Sequence, residues 1–163
     1  MELVEIGKNI LTNCMNVKPG ENVLIVTDDE KYAIGQTLYQ AAKLLKAEAM
    51  LMTMTAREVS GQEPPAVVAA AMKAADVVIC PMKTSITHTR AKIEAAEAGA
   101  RIATMPGITE EMFAMGAMTA DYSRVMALTE QVTDLLTNAN TARIEKDGHV
   151  LTLDLRGRRG VSS

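Results

Sequence analysis

The chain has 163 residues, of which 48% are hydrophobic and 23% charged, and its formal net charge is −3. That length suffices to bury a core, and the mild acidity argues against nucleic acid as a partner, because phosphate binding needs clustered Lys and Arg. No stretch approaches the roughly 20 apolar residues of a membrane span, and residues 1–18 lack the basic-then-apolar layout of a secretory leader, so a cytoplasmic protein with no membrane partner is expected.

The first segment reads as an amphipathic helix, with Leu3, Ile6, Ile10, Cys14 and Val17 spaced three or four apart. Lys18-Pro19-Gly20-Glu21 is a turn, and Asn22 to Thr27 is a β-branched apolar run typical of a strand buried on both faces. Asp28-Asp29-Glu30 opens a helix over Tyr32 to Ala47, followed by a strand from Ala49 to Thr55. Gln62-Glu63-Pro64-Pro65 starts a third helix, whose stripe is Val67, Val68, Ala71, Met72 and Ala75. Val77 to Cys80 is a third strand, with Pro81 as its stop. A helix over Thr87 to Ala98 closes at Gly99, and Arg101 to Met105 is a fourth strand. Thr109 caps a short helix, and a longer one spans Asp121 to Asn138. Around Lys146-Asp147-Gly148 the tail reads as a β-hairpin, and Arg156 to Ser163 then has nothing to pack against.

This alternation predicts an α/β fold: a small open parallel sheet of about four strands with helices on both faces, plus a C-terminal β-hairpin. Residues 1–140 form a Rossmann-like domain, and residues 141–163 form the hairpin and the start of a linker to a second domain. Twelve Met against no Trp and one Phe point to a core filled by Met and aliphatic side chains. Cys14 and Cys80 read as buried, reduced thiols.

Open parallel sheets bind ligands at the carboxyl ends of their strands. Of the polar residues there, which also include Asp29, Thr55, Arg57 and Lys83, the candidate lining for a substrate cleft is Thr27, Asp28, Thr84, Ser85, Thr87, His88 and Arg90. Ser85 and Thr87 serve either as helix caps or as ligand contacts. His88 has no Asp or Glu at helix-ligand spacing, Ser85 with His88 lacks an orienting acid, and no phosphate-binding glycine motif follows the first strand. A phosphotransfer receiver would need an acid at the end of strand three, where the chain reads Ile79-Cys80-Pro81-Met82-Lys83. No catalytic and no metal-binding residue is therefore assigned.

Taken in order, four segments form a pattern: Pro19 to Ile25, Ala75 to Ile79, Ser85 to Thr89, and Gly99 to Thr109. Together they resemble the N-terminal domain of the aminopeptidase T and aminopeptidase S (leucyl aminopeptidase-like) family of metalloaminopeptidases, to which dihydroxypyridine ring-cleaving dioxygenases are related. The likeness runs from near Glu2 to near Gly160. It implies a hydrolase that releases N-terminal amino acids from peptides. It further implies two divalent metal ions, such as zinc or cobalt, held by a C-terminal domain that lies past the end of this chain. On that reading the chain alone is inactive and holds no cofactor. Its partners are its own C-terminal domain, a peptide substrate and a second copy in a homodimer. Two other readings stay open: a stand-alone module binding small anions along Thr84 to Arg90, and the N-terminal part of a ring-cleaving dioxygenase.

Overall fold

A computed structural model describes residues 3–162. It comprises two compact units, one ending at Thr119 and the other starting at Ala120.

In the first unit, α1 (Leu3–Asn9) runs into one π-helical turn over Ile10–Cys14. Then come β1 (Asn22–Asp28), α2 (Tyr32–Leu44), β2 (Glu48–Met54), α3 (Ala66–Ala74) and β3 (Val77–Met82). The unit continues with α4 (Arg90–Glu97), β4 (Arg101–Pro106), α5 (Glu110–Ala114) and a 3-10 turn at Gly116–Thr119. The four strands form one parallel sheet in the order β2-β1-β3-β4. The expected α/β architecture is therefore the observed one.

Alternation along each central strand divides the core in two. Val23 and Ile25 of β1, with Val77 and Ile79 of β3, face a cluster built with α1, α2 and Phe113 of α5. Leu24 and Val26, with Val78 and Cys80, face the opposite cluster, made with Val68, Met72, Ala91 and Ala95 of α3 and α4. Both faces of β1 and β3 are thus covered, which is why these strands read as unbroken apolar runs.

Several local expectations are corrected. The first helix is not one continuous α-helix. Met15 N–H donates to the Ile10 carbonyl five residues back, and this wider turn brings Leu11 and Met15 into the core. Cys14 is consequently exposed, whereas Cys80 is buried as expected and its burial pushes the thiol up to about 12. Met15, Met54, Met72 and Met82 fill the core, but Met50, Met112, Met115 and Met126 are exposed, so Met is not confined to buried positions. Val67 faces solvent instead of joining the stripe of α3.

Pro81 does not end β3, which continues to Met82 with Pro81 opposite Met105. The β1–β3 ladder has already stopped at Ile25–Ile79, and the Pro81 carbonyl accepts the Thr27 hydroxyl from the β1 side. A strand residue points its N–H and C=O the same way, so the missing N–H falls where no ladder bond was available.

In the second unit, α6 (Tyr122–Asn138) starts at Asp121, whose side chain accepts the Arg124 N–H. β5 (Thr141–Lys146) and β6 (His149–Asp154) form an antiparallel hairpin. Asp147 and Gly148 close it with φ of 50° and 78°, as a two-residue hairpin turn with both centres left-handed requires. The tail does find a surface, contrary to expectation: Gly160 N–H donates to Thr137 Oγ1 at 3.0 Å. A side chain at Gly160 would meet the Thr133 carbonyl at 2.6 Å, so glycine permits this close approach to α6. Val125, Met126, Leu128 and Leu135 of α6 and Ile144 and Leu151 of the hairpin are exposed.

Candidate functional site

The connection from β1 through α2 to β2 runs to one side of the sheet, and that through α3 to β3 returns to the other. The strand order therefore reverses between β1 and β3, whose carboxyl ends meet at the crevice where such sheets bind ligands. Thr27 and Asp28 end β1 at this point, and residues 83–89 follow β3.

Thr27 and Asp28 are fully buried. The Thr27 hydroxyl donates to the Pro81 carbonyl at 2.9 Å, and its Cβ lies 2.9 Å from where a Cβ on Gly35 would stand, so α2 packs directly on it. Asp28 Oδ1 accepts the Lys31 N–H at 3.0 Å, and Oδ2 accepts the Lys83 N–H at 2.6 Å. These two side chains take over where the β1–β3 ladder ends and hold the crevice together, with both carboxyl oxygens of Asp28 engaged by backbone. Beside them Lys83 Nζ pairs with Glu30 at 2.6 Å, and that carboxylate holds the ammonium above the usual lysine range.

The expected capping of a fourth helix by Ser85 or Thr87 is corrected. That helix begins at Arg90, not Thr87, and its cap is buried Thr89, whose Oγ1 accepts the Lys92 N–H and donates to the Ile86 carbonyl. Glu63, from the loop before α3, accepts the N–H groups of Arg90 at 2.6 Å and Ala91 at 3.2 Å. With the N–H groups of Arg90 and Ala91 accepted by Glu63 and that of Lys92 by Thr89, the helix start has few N–H groups left for an anion.

Ser85 and Thr87 are instead joined in a hydroxyl chain. Ser85 Oγ donates to Thr87 Oγ1 at 2.9 Å, and Thr87 Oγ1 meets Thr104 Oγ1 of β4 at 2.9 Å. Thr104 was not anticipated from sequence, since only the pairing of β3 with β4 brings it here. His88 is exposed, and Arg90 points outward with its guanidinium 3.4 Å from Glu94. The structure therefore groups Ser85, Thr87 and Thr104, puts Thr27 and Asp28 in the framework, and leaves His88 and Arg90 at the rim. Thr84 is half-buried beside this group.

The site is an open rim. A groove of about 660 Å³ lies elsewhere, along edge strand β2, lined by apolar residues such as Leu24, Met50 and Met52, and it includes none of the candidates. Among the described residues, no three His, Cys, Asp or Glu side chains converge to hold a metal ion. Among them also, no helix is long and apolar enough to cross a membrane.

Comparison with known proteins corrects the functional expectation. The sequence pattern of the 2,5-dihydroxypyridine 5,6-dioxygenase (NicX) family matches residues 2–162. In structure the chain is similar to the 2,5-dihydroxypyridine dioxygenase of Pseudomonas putida KT2440, with a TM-score of 0.67 and 17% identity over 94% of this chain and 47% of that one. This chain thus spans about half the length of that relative. A chain assigned as an enoyl reductase domain of a polyketide synthase aligns over 82% of this chain and 94% of that one, at 14% identity and a TM-score of 0.38, too low to carry an argument. None of the curated proteins matches. The likeness to the aminopeptidase T and S family is set aside, and with it the peptidase, metallopeptidase and hydrolase reading. Ser85 to Thr89 follows β3 at the crevice, but much of the resemblance, around Glu21, Asp76 and Arg101, lies at the opposite, amino end of the sheet. There Asp76 accepts the Asn22 N–H, and Glu21 pairs with Arg101 at 2.6 Å. Such residues specify a scaffold that related enzymes share, whatever their chemistry.

Proposed function

We propose that this chain, which belongs to the 2,5-dihydroxypyridine 5,6-dioxygenase (NicX) family, forms the α/β half of an enzyme that opens an oxygen-substituted nitrogen heteroaromatic ring with dioxygen. The family match over residues 2–162 is the observation that carries this reading. The 47% coverage of the Pseudomonas putida relative supports assigning the oxygen-activating groups to residues outside this chain.

Its own residues are assigned the tasks of binding and orienting. Asp28 and Thr27 fix the crevice, and the linked hydroxyls of Ser85, Thr87 and Thr104 offer donors and acceptors to ring oxygens at its mouth. Exposed His88 and Arg90 stand at the rim, where a second wall would close over the ring. Any divalent metal belongs to that second wall, since no ligand set for one forms among the described residues. Cys14 and Cys80 form no disulfide, which supports placing the protein in the reducing cytoplasm.

Oxygen uptake by the protein encoded by the complete gene tests the reading, with 2,5-dihydroxypyridine as substrate and leucine p-nitroanilide as control. Uptake in step with loss of the pyridine absorbance, without release of p-nitroaniline, is expected. Release of p-nitroaniline without oxygen uptake would sink it.

A further inference from the structure

Two buried side-chain atoms have no hydrogen-bond partner among the described residues: Arg57 Nε and Thr84 Oγ1. Arg57 follows β2 and Thr84 follows β3, so both lie at the carboxyl edge of the sheet. Their positions are tied to consecutive residues at the end of β1. Ala56 N–H, next to Arg57, donates to Asp29 Oδ1 at 2.9 Å, and Lys83 N–H, next to Thr84, donates to Asp28 Oδ2 at 2.6 Å. The two loops are also sewn to each other, because Ser85 N–H donates to Ser60 Oγ at 3.2 Å and Gly61 N–H to the Ser85 carbonyl at 2.8 Å. Four hydrogen bonds thus hold in place the backbone that carries two unsatisfied groups.

A buried donor without an acceptor is costly, more so on a charged group, and the cost is tolerated where a ligand removes it. Arg57 also has no carboxylate partner among the described ion pairs, unlike Lys83 and Arg90 nearby. Its planar guanidinium suits an oxygen carried by a flat ring, and the Thr84 hydroxyl is a second donor at the same edge of the sheet. From this we infer that Arg57 and Thr84 form a subsite that holds a ring-borne acceptor oxygen of the substrate and so sets the orientation of the ring. Its link to turnover rests on the ring-cleavage reading above, whereas its existence as an oxygen subsite does not.

The test is a titration of the ¹⁵N-labelled chain, following the Arg57 Nε–H resonance. The probes are 2,5-dihydroxypyridine, benzoate, and pyridine as a ring without oxygen. The two oxygen-bearing rings are expected to move the resonance and pyridine is not. Arg57→Lys, which keeps the charge but loses the Nε–H fork, and Thr84→Val are expected to weaken binding at least fivefold, and Thr84→Ser to restore it. Wild-type amide dispersion in each variant certifies folding, and a variant that fails to fold leaves the wild-type resonance as the deciding readout. A resonance that ignores both oxygen-bearing rings, or answers pyridine equally, overturns the subsite. Movement with benzoate but not with 2,5-dihydroxypyridine upholds the subsite and overturns the ring-cleavage reading.

Discussion

Replacing Asp28 separates a framework role from a ligand-binding one. In Asp28→Ala the N–H groups of Lys31 and Lys83 both lose their acceptor, at 3.0 and 2.6 Å, and the segment after β3 loses its Asp28 tie to β1 while the Thr27–Pro81 bond stays. A buried donor left unpaired costs about 1–3 kcal/mol. Both N–H groups are only part-buried and water can reach them in the variant, so the lower half of that range applies, a total of about 2–4 kcal/mol. Asp28→Asn keeps one acceptor oxygen but turns an amide N–H toward the other donor, for an expected loss of about 2 kcal/mol. Urea unfolding followed by far-UV circular dichroism measures this. With a slope of about 2 kcal/mol/M, the alanine variant's midpoint falls by roughly 1–2 M, a large part of the 5–15 kcal/mol typical of a domain. A midpoint within about 0.3 M of wild type would refute the framework role.

Thr89→Ala should cost about 1 kcal/mol as the loss of a helix cap, and Ser85→Ala clearly less, both read by thermal unfolding; equal losses would mean the cap is misassigned. The ion pair with Arg101 and the bond from Lys18 N–H hold the Glu21 carboxyl below the usual carboxylate range. Its stabilisation is therefore present above the unfolded value near 4.5 and lost as pH falls through the depressed folded value. Glu21→Gln should then narrow the stability gap between pH 6 and acid, and a variant with an unchanged acid limb would contradict that assignment. With its thiol near 12, Cys80 should resist a thiol reagent at pH 8 until urea unfolds the chain, while exposed Cys14 reacts in the native state; two fast-reacting thiols would show that the core admits solvent.

The sheet was legible because its strands obey local rules. Val23 to Val26 and Val77 to Cys80 are apolar on both faces, and Asp147-Gly148 fits one hairpin turn. What stayed hidden depends on distant partners. Three hydroxyl residues, Ser85, Thr87 and Thr89, compete to cap α4, and the choice is fixed by Glu63, 27 positions before Arg90. The π-helical turn escaped notice because a three-or-four spacing fits Cys14 as well as a five-residue step fits Met15. Thr104 carries no local signal and acquires a place only when β4 pairs with β3; Arg57 is legible as following a strand, but the tie between the loops after β2 and β3 is not. Chemistry was misread because motifs such as those around Glu21, Asp76 and Arg101 belong to the scaffold at the amino end of the sheet, while Ser85 to Thr89 at the crevice carries no signature of a single reaction.

The most direct test of the dioxygenase reading is isotopic. The protein encoded by the complete gene would be supplied with 2,5-dihydroxypyridine under ¹⁸O₂ in ordinary water, and the product weighed by mass spectrometry after a short reaction. The account predicts that both oxygen atoms of one dioxygen molecule enter the opened product. A product whose new oxygen comes only from water would contradict it and return the chain to hydrolytic chemistry.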